Sequence, residues 1–325
     1  MKPETFIILA AYNGADFLAG QLDSLIAQTE TRWRLLIRDD ASTDGTPDII
    51  RGYMSKDERI RLLDAGDDAS RSALDNFSIL LQAAYDQGAD YVFCCDQDDV
   101  WDPGKLEVML ARLKQLEGEG KLPSLVHHDL EVVDASLQPI AGSFVGMMQL
   151  NPSDEHRPQR LVSRNEVTGC AMACNRALLE LALPISQQAV MHDWWLALCA
   201  AYFGRLAFVP RPLVKYRQHG RNTIGAKSFW HGLNPFTNWI AGWRRGDREF
   251  IATVQQARAF KAAMAGRLER GSAAYATLDL YGGMLSATRR QRLTALGQFG
   301  LWRDHWLLNI VLVMRMLLLP RNGQA

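Results

Sequence analysis

Short apolar segments alternate with helical patterns over the first hundred residues of this chain. Residues 6–11 (FIILAA) are apolar without interruption, which is typical of a strand buried on both faces. Apolar residues then recur at helical spacing over 17–28, and a second strand pattern covers 33–38. A third, short strand pattern covers 59–64 and a fourth covers 91–95, with helical patterns between them. This alternation predicts an α/β fold with a mostly parallel sheet.

Polar residues directly follow three of these strand patterns, at 12–13, 39–40 and 96–99. In open α/β sheets, ligands collect at the carboxyl ends of the strands. The three polar segments are therefore expected to line one shared site.

The third segment carries Asp96, Asp98 and Asp99 after a buried strand. Carboxylates this close repel one another unless a cation lies between them, and Mg²⁺ or Mn²⁺ is the usual cation when a substrate supplies phosphates. The alternative is an acidic turn in which Asp99 or Asp102 caps the helix that starts near residues 103–104. The segment alone supports either interpretation.

Charge and cysteine content narrow the class of protein. Residues 211–325 hold 18 Lys/Arg against 5 Asp/Glu, whereas residues 1–210 hold 18 against 31. This basic segment is also rich in Trp, Leu and Met, which suits an anionic membrane surface better than nucleic acid.

The five cysteines form no CxxC pair and lie in apolar surroundings, as expected in a reducing compartment. No GxGxxG follows the first strand and no GxxxxGK[ST] occurs, which argues against a dinucleotide-binding domain and a P-loop NTPase.

The sequence pattern predicts helices over the last hundred residues. A long helical stretch is predicted over 248–285, and residues 302–319 are apolar but interrupted by Asn309 and Arg315. The uninterrupted part is shorter than the ~20 residues that cross a bilayer. We expect an amphipathic region at the membrane interface, so that the protein is cytoplasmic and peripheral to the cytosolic face of the inner (plasma) membrane. The alternative is a helix packed on the rest of the chain or in a dimer interface.

Six motifs occur in order: AYNG at 11–14, RDDASTDGT at 38–46, DQDDVW at 96–101, TGCAM at 168–172, HDWW at 192–195 and YRQHGRN at 216–222. Together they resemble the inverting family 2 glycosyltransferases of the GT-A fold, over roughly residues 4–225. The forms DQDDVW, HDWW and RQHxxN are most similar to bacterial rhamnosyltransferases that build O-antigen and related surface polysaccharides.

The resemblance implies a nucleotide-diphospho-sugar transferase fold with a Rossmann-like sheet. Residues 1–225 would form the catalytic domain, with a nucleotide-sugar half at about 1–102 and an acceptor half at about 103–225. Residues 226–325 would form the helical, membrane-associating region.

The resemblance also implies a donor site. Tyr12 would border the nucleobase, and Asp40 would accept the imide N–H of uracil or thymine, which favours UDP or dTDP over GDP. Turn capping is an equal alternative for Asp39 and Asp40. Asp96 would lie near the ribose. The implied nucleotide-sugar contacts are Ala11, Tyr12, Asn13, Asp40, Asp96 and Gln97.

The implied cofactor is Mg²⁺ or Mn²⁺. Asp98 would ligate the ion that bridges both phosphates, and His219 would complete its shell or contact the diphosphate; a solvent-exposed His219 is the alternative. The implied diphosphate contacts are Arg217, Arg221 and Asn222.

An inverting transfer needs one carboxylate that takes the proton of the attacking acceptor hydroxyl, and Asp193 is the candidate general base. At least one of the two tryptophans after it is expected to lie in the core. Ala41 stands where the family often has Gly, which matters if the backbone needs freedom there. The implied contacts to the donor sugar or acceptor are Asp99, Trp101, His192, Trp194 and Trp195.

The leading hypothesis is a metal-dependent inverting glycosyltransferase that moves a sugar, L-rhamnose before others, from a dTDP- or UDP-sugar to a lipid-linked saccharide acceptor. An oligomer is compatible with the sequence. One alternative is a nucleotidyltransferase, although residues 11–15 lack the Gly-rich, basic loop that would bind a triphosphate. The other is a non-catalytic, membrane-associated assembly partner.

Overall fold

The structure, a computed structural model, describes residues 4–63, 72–152, 158–219, 239–298 and 306–318. The chain forms two compact units. The first comprises Met1–His156, Glu166–Ile185 and Met191–Asn222. The second comprises Arg157–Asn165, Ser186–Val190 and Thr223–Ala325, so two short segments of the predicted acceptor half belong to the unit of the C-terminal helices.

The first unit is built on a nine-stranded sheet. Its strands are β1 (Thr5–Ala11), β2 (Arg34–Asp39), β3 (Ile60–Leu62), β4 (Tyr91–Asp96), β5 (Val100–Trp101), β6 (Ser124–Asp134), β7 (Pro139–Ala141), β8 (Met172–Asn175) and β9 (Arg205–Gln218). Their order is β3-β2-β1-β4-β8-β6-β9-β5, with β7 beside β6.

The first four strands are parallel, as the pattern predicts, and the rest of the sheet is mixed. β1 pairs in parallel with β2 and β4, and β2 pairs in parallel with β3. Beyond β4, β8 runs antiparallel between β4 and β6, while β6 and β9 are parallel. Because β1, β2 and β4 are parallel neighbours, their carboxyl ends meet at one edge. There Ala11 pairs with Asp39, and Ala10 pairs with Asp96.

Eight helices accompany the strands before residue 204 in the described part of the chain. They are α1 (Leu18–Ile26), α2 (Thr46–Met54), α3 (Ala73–Asp86), α4 (Lys105–Glu117), α5 (Phe144–Met147), α6 (Pro158–Ser163), α7 (Arg176–Ala182) and α8 (His192–Phe203). A short 3₁₀ helix, Gly169–Ala171, precedes β8.

Helix α4 tests the capping alternative for the acidic turn. Gly104 is its N-cap residue and no side chain caps it; Asp102 instead accepts a hydrogen bond from the Gly104 N–H at 2.8 Å. Asp99 is fully buried and accepts a hydrogen bond from the backbone of Arg217. The alternative in which Asp99 caps the helix is therefore wrong.

The second unit is helical in its described part. Its C-terminal helices are α9 (Trp239–Ala263), α10 (Ala273–Gly282), α11 (Arg289–Gln298) and α12 (Trp306–Leu318). Val254, Ala257 and Phe260 form a buried stripe on α9, and Thr253 Oγ1 lies 2.8 Å from the Tyr281 hydroxyl oxygen on α10. Among the described residues, no helix has both the length and the apolar character to cross a membrane.

Candidate active site

The loops after β1 and β2 are hydrogen-bonded to one another. The Asn13 N–H donates to Ser42 Oγ at 2.8 Å, and the Thr43 N–H donates to Asn13 Oδ1 at 2.8 Å. One residue further, the Gly14 N–H donates to Thr46 Oγ1 at 2.8 Å. Side chains thus satisfy backbone groups that no longer have a strand partner. The side-chain oxygen of Asn13, a predicted donor contact, serves this loop pairing.

Gln97 connects the acidic loop after β4 to the loop after β1. Its Oε1 accepts a hydrogen bond from the Tyr12 N–H at 2.9 Å, and its Nε2 donates to the Tyr12 carbonyl oxygen at 2.9 Å. A Cβ added at Gly14 would overlap the amide end of Gln97, so an alanine there would force this side chain to move. The amide of Gln97 therefore positions Tyr12, whose side chain is 59% exposed at the edge.

The tandem aspartates after β2 have different partners. Asp39 accepts hydrogen bonds from the hydroxyl and backbone N–H of Ser42, which is the predicted turn capping. Asp40 accepts a hydrogen bond at 3.1 Å from the buried guanidinium of Arg38. Between them and Ser42, Ala41 adopts φ +59°, a left-handed conformation that favours glycine. The backbone freedom that glycine would give is therefore relevant at position 41.

The end of β9 contacts the acidic loop at three points. The Arg217 N–H donates to Asp99 Oδ1 at 3.0 Å, and Arg217 Nε donates to the Asp98 carbonyl oxygen at 2.7 Å. His219 Nε2 lies 2.7 Å from Asp98 Oδ2. The His219 ring also stacks on Phe17, with centroids 4.7 Å apart. The structure thus brings Asp98 and His219 together across 121 residues of sequence.

Of the three predicted diphosphate contacts, Arg217 lies in the described structure, where its backbone and side chain bind the acidic loop as given above. Arg221 and Asn222 lie outside the described residues.

Two groups of side chains have a chemistry that suits a cation. Asp96, Asp99 and Cys170 place one potential ligand atom each within 4.8 Å of the others. Burial, and then the charges of Asp99 and Asp96, raise the pKa of the Cys170 thiol well above its usual range, and sulfur is a softer ligand than the oxygens that Mg²⁺ and Mn²⁺ prefer. Asp98 and His219 form the second group, are both partly exposed, and offer a carboxylate and an imidazole. The second group fits a divalent ion better.

Asp99 has surroundings that differ from those of its neighbours in the acidic loop. Its Oδ2 is buried and meets no hydrogen-bond partner in the described structure. Burial, followed by the charges of Asp98 and Asp96, raises the pKa of Asp99 well above its usual range. Asp99 is fully buried and its Oδ1 holds the β9 backbone, so this carboxyl has a structural role and no oxygen exposed to a sugar.

Asp96 and Asp193 come close together although they belong to β4 and α8. Burial, then the charges of Asp98 and Asp193, raise the pKa of Asp96 to about 7. Asp193 lies in the first turn of α8, where the helix dipole favours a carboxylate, and its Oδ1 accepts a hydrogen bond from the Trp194 N–H at 2.6 Å. Gly169 lies beside the first turn of α8: an added Cβ would lie 3.1 Å from His192 Nε2 and 3.7 Å from Asp193 Oδ2.

The aromatic residues that were predicted to contact a sugar are mostly covered. The Trp195 indole N–H donates to the Ala182 carbonyl oxygen at 3.1 Å, and Trp195 is 1% exposed. Trp101 is 2% exposed, and Trp194 is also buried. His192 is buried with its ring 4.0 Å from that of Phe77. Trp101 and Trp195 are therefore core residues, and their burial gives no support to a sugar contact by either.

Sequence reasoning missed Lys105, which is fully buried beneath the site. Its Nζ donates to the Cys170 carbonyl oxygen at 2.7 Å and lies 3.4 Å from the centroid of the Trp101 ring. Desolvation lowers the pKa of Lys105 to about 8, and the neighbouring Asp99 carboxyl acts in the opposite direction. A lysine in the first turn of a helix is normally solvated, so no sequence signal marked this one as buried.

The carboxyl edge of the parallel strands, where α/β sheets bind their ligands, thus gathers carboxylates and an imidazole. Comparison with known proteins gives the class: the model of glycosyl transferase family 2 matches residues 6–181. The chain belongs to this family.

Two curated relatives illustrate the similarity. The putative teichuronic acid biosynthesis glycosyltransferase TuaG of Bacillus subtilis (strain 168) is 36% identical over 109 residues, which cover 34% of this chain and 41% of TuaG. The UDP-Glc:alpha-D-GlcNAc-diphosphoundecaprenol beta-1,3-glucosyltransferase WfgD of Escherichia coli is 24% identical over 177 residues, which cover 54% of this chain and 60% of WfgD. The chain thus spans less than two thirds of either relative.

Two solved structures share the fold. S. aureus TarS 1-349 superimposes with a TM-score of 0.54 and 14% identity, covering 91% of this chain and 80% of that one. The mannosyltransferase PcManGT from Pyrobaculum calidifontis, solved with GDP-Man and Mn²⁺, has a TM-score of 0.50 and 17% identity, covering 97% of this chain and 87% of that one.

Proposed function

We propose that this protein is a metal-dependent, inverting glycosyltransferase that acts in the synthesis of a surface polysaccharide. Its donor is a dTDP- or UDP-sugar, with L-rhamnose as the first sugar to test, and its acceptor is a lipid-linked saccharide. The contact between Asp98 and His219 carries the proposal, because a carboxylate and an imidazole 2.7 Å apart share the edge with Asp96 and Tyr12.

Each side chain has a role that its surroundings support. Asp98 and His219 would hold Mg²⁺ or Mn²⁺, and a bound divalent ion offsets the charge that develops on the leaving diphosphate. The exposed ring of Tyr12 would stack on the base, and Asp40, oriented by Arg38, would accept the imide N–H. Asp96 would contact the ribose.

Asp193 would be the general base. It lies in the first turn of α8 next to Gly169, and there it would accept the proton of the acceptor hydroxyl as that oxygen attacks the sugar. Its Oδ1 is hydrogen-bonded to the Trp194 N–H, which holds the carboxylate in one orientation.

The relatives support the donor class and the acceptor class but differ in the nucleotide. WfgD is described as using UDP-Glc and a diphosphoundecaprenol-linked acceptor. TarS has been solved with UDP-GlcNAc, whereas PcManGT has been solved with GDP-Man. The fold accommodates both kinds of nucleotide, so in this chain the proposed contact of the base with Asp40 would determine which nucleotide binds.

Calorimetry with dTDP, UDP and GDP, each with Mn²⁺ and with EDTA, tests the proposal. We expect dTDP or UDP to bind in a metal-dependent manner, and GDP to bind at least tenfold more weakly (about 1.4 kcal/mol), because the larger purine would not place its ring N–H where Asp40 would accept that of a pyrimidine. Binding that is equal with EDTA, or tightest for GDP, would contradict the metal or the base assignment.

The general base is tested by Asp193→Asn, with Asp98→Asn as the matched carboxylate variant. We expect Asp193→Asn to lower the transfer rate by about a hundred- to ten-thousandfold while nucleotide affinity is kept. Asp98→Asn should lose metal-dependent nucleotide binding as well. If Asp193→Asn weakens nucleotide binding as strongly as Asp98→Asn does, Asp193 is part of the donor site and the base assignment is wrong.

The proposal includes peripheral attachment to the cytosolic face of the membrane. Ile310, Met314 and Leu318 are exposed at four-residue spacing on α12, and Arg289 and Arg290 are exposed at the start of α11. An exposed apolar stripe together with arginines suits an anionic interface. Flotation of the wild-type protein with phosphatidylglycerol vesicles, compared with the Ile310→Ser/Leu318→Ser variant, tests this attachment.

A further inference from the structure

The second unit contains an open pocket of about 430 Å³ between α9 and α10. A volume of this size lies at the small end of the range for ligand sites, roughly 300–1,000 Å³. Its polar walls consist of Arg258, Lys261, Arg270, Tyr275 and Asp279. Alanines and glycines form the rest of the lining together with Leu278, so few large side chains fill the space.

The pocket has an excess of two positive charges, since three cations face one carboxylate. Lys261 Nζ pairs with Asp279 and lies 4.2 Å from the centroid of the Tyr275 ring. The hydrogen bond to Asp279 raises the pKa of Lys261, so this amine remains charged at neutral pH. Arg270 is exposed and forms no ion pair with any residue that the structure describes.

Arg258 is held in place by the backbone of α10. Its Nε donates a hydrogen bond to the Gly282 carbonyl oxygen. A Cβ added at Gly282 would lie 3.1 Å from Arg258 Cγ, so the glycine lets the arginine stem lie against the helix. In the described part of the chain, no residue accepts a hydrogen bond from the two Nη groups of Arg258. A fixed guanidinium with free donors suits a phosphate oxygen.

We propose that this pocket binds a phosphate group, either as a lipid head group or as a free phosphate compound. The two extra positive charges exclude a metal cation, and the open volume fits a head group or a diphosphate better than a peptide segment. The proposal goes beyond sugar transfer, because no residue of the carboxyl edge takes part in it. A protein that failed every transferase test could still have this site.

Calorimetric titration of the full-length protein with inorganic pyrophosphate in EDTA tests the site, since EDTA prevents metal-dependent binding at the carboxyl edge. Arg258→Gln and Arg270→Gln should each weaken binding roughly three- to tenfold. Asp279→Asn removes the opposing carboxylate and should tighten binding. Arg248→Gln is the matched control, because Arg248 is an exposed arginine on α9 that does not line the pocket.

Flotation with phosphatidylglycerol and phosphatidylcholine vesicles distinguishes the two sources of phosphate. If Arg258→Gln and Arg270→Gln reduce binding to phosphatidylglycerol vesicles while Arg248→Gln does not, the ligand is a lipid head group. If they reduce only pyrophosphate binding, the ligand is a free phosphate compound. Either result supports the site.

The proposal is wrong if pyrophosphate and vesicle binding are both absent, or if the Arg258, Arg270 and Arg248 variants all behave alike. Because the variants lie outside the proposed catalytic residues, their dTDP or UDP binding with Mn²⁺ should equal that of the wild type. If the wild-type protein binds neither dTDP nor UDP with Mn²⁺, that result contradicts the transferase proposal and does not bear on the phosphate site.

Discussion

At the scale of single residues, the sequence indicated where polar side chains lie better than it indicated what they contact. The strand patterns placed the acidic residues at the carboxyl edge, and Asp98 and His219 do meet there. The family resemblance of the ordered motifs implied this contact. Hydrophobic periodicity could not have predicted it. The partners of Gln97 and Asn13 were not predictable, because they depend on how three loops pack against one another.

Ala41 allows a test of backbone strain in the loop after β2. Its φ of +59° costs an L-residue with a Cβ about 1 kcal/mol, which glycine does not incur. We expect Ala41→Gly to raise the free energy of unfolding by up to about 1 kcal/mol, measured by urea denaturation. Ala111→Gly is the control: this exposed alanine lies inside α4, so its replacement should lower stability by about 1 kcal/mol. Destabilisation by both variants would show that Ala41 is unstrained.

At the scale of elements, the parallel half of the sheet was predictable and the mixed half was not. Strands β1, β2 and β4 are buried on both faces, and that burial appears as continuous apolar runs. Strand β8 has only four residues, and its position between β4 and β6 depends on long-range pairing.

The predicted helix over 248–285 is in fact two helices: α9 ends at Ala263, and α10 begins after Gly271 at φ +91° and Ser272, whose hydroxyl caps the Tyr275 N–H. Phe260, Met264 and Leu268 keep a four-residue spacing past the end of α9, which is why the pattern alone gave one long helix.

The connection between the loops after β1 and β4 can be tested at Gly14. A methyl group there would displace the Gln97 amide from the Tyr12 backbone. We expect Gly14→Ala to keep the fold but weaken dTDP or UDP binding about tenfold, through loss of roughly one hydrogen bond and misplacement of Tyr12. The control Gly20→Ala lies in α1, where an added Cβ has nothing within 4 Å. It should retain binding and gain stability. Equal affinity in both variants would show that Gln97 does not position Tyr12.

At the scale of the whole molecule, the sequence placed acidic chemistry in the first two thirds and positive charge in the last third, and the two units follow that division. Short segments at 157–165 and 186–190 that belong to the second unit could not be assigned from sequence, since neither has a distinctive composition. Burial likewise depends on the whole fold and not on residue type. For this reason Lys105, His128 and His192 are buried although their residue types favour the surface.

Each buried histidine makes a pH-dependent contribution to the stability of the first unit. Burial lowers the pKa of His192 to about 3, and it lowers the pKa of His128 well below its usual range. In the unfolded chain both imidazoles titrate near pH 6.5, so below about that pH the unfolded chain binds protons that the native chain does not. The stability that each histidine contributes above pH ~6.5 is therefore lost as the pH falls, by about 1.4 kcal/mol per pH unit. The raised pKa values of Asp96 and Asp99 act in the opposite direction, because these carboxyls take up protons in the native chain before they do so in the unfolded chain.

Replacement of His192 separates its share of this acid sensitivity. His192→Phe keeps a ring against Phe77 and cannot take up a proton, so the loss of stability between about pH 6 and about pH 4 should be smaller by about one proton's contribution. Urea denaturation followed by tryptophan fluorescence at several pH values measures this slope. His192→Gln should give the same shallower slope even if its stability at neutral pH is lower, because the slope depends on the missing proton and not on packing. A wild-type slope in both variants would mean that the His192 imidazole becomes protonated in the folded protein, which would require water or a carboxylate to reach it.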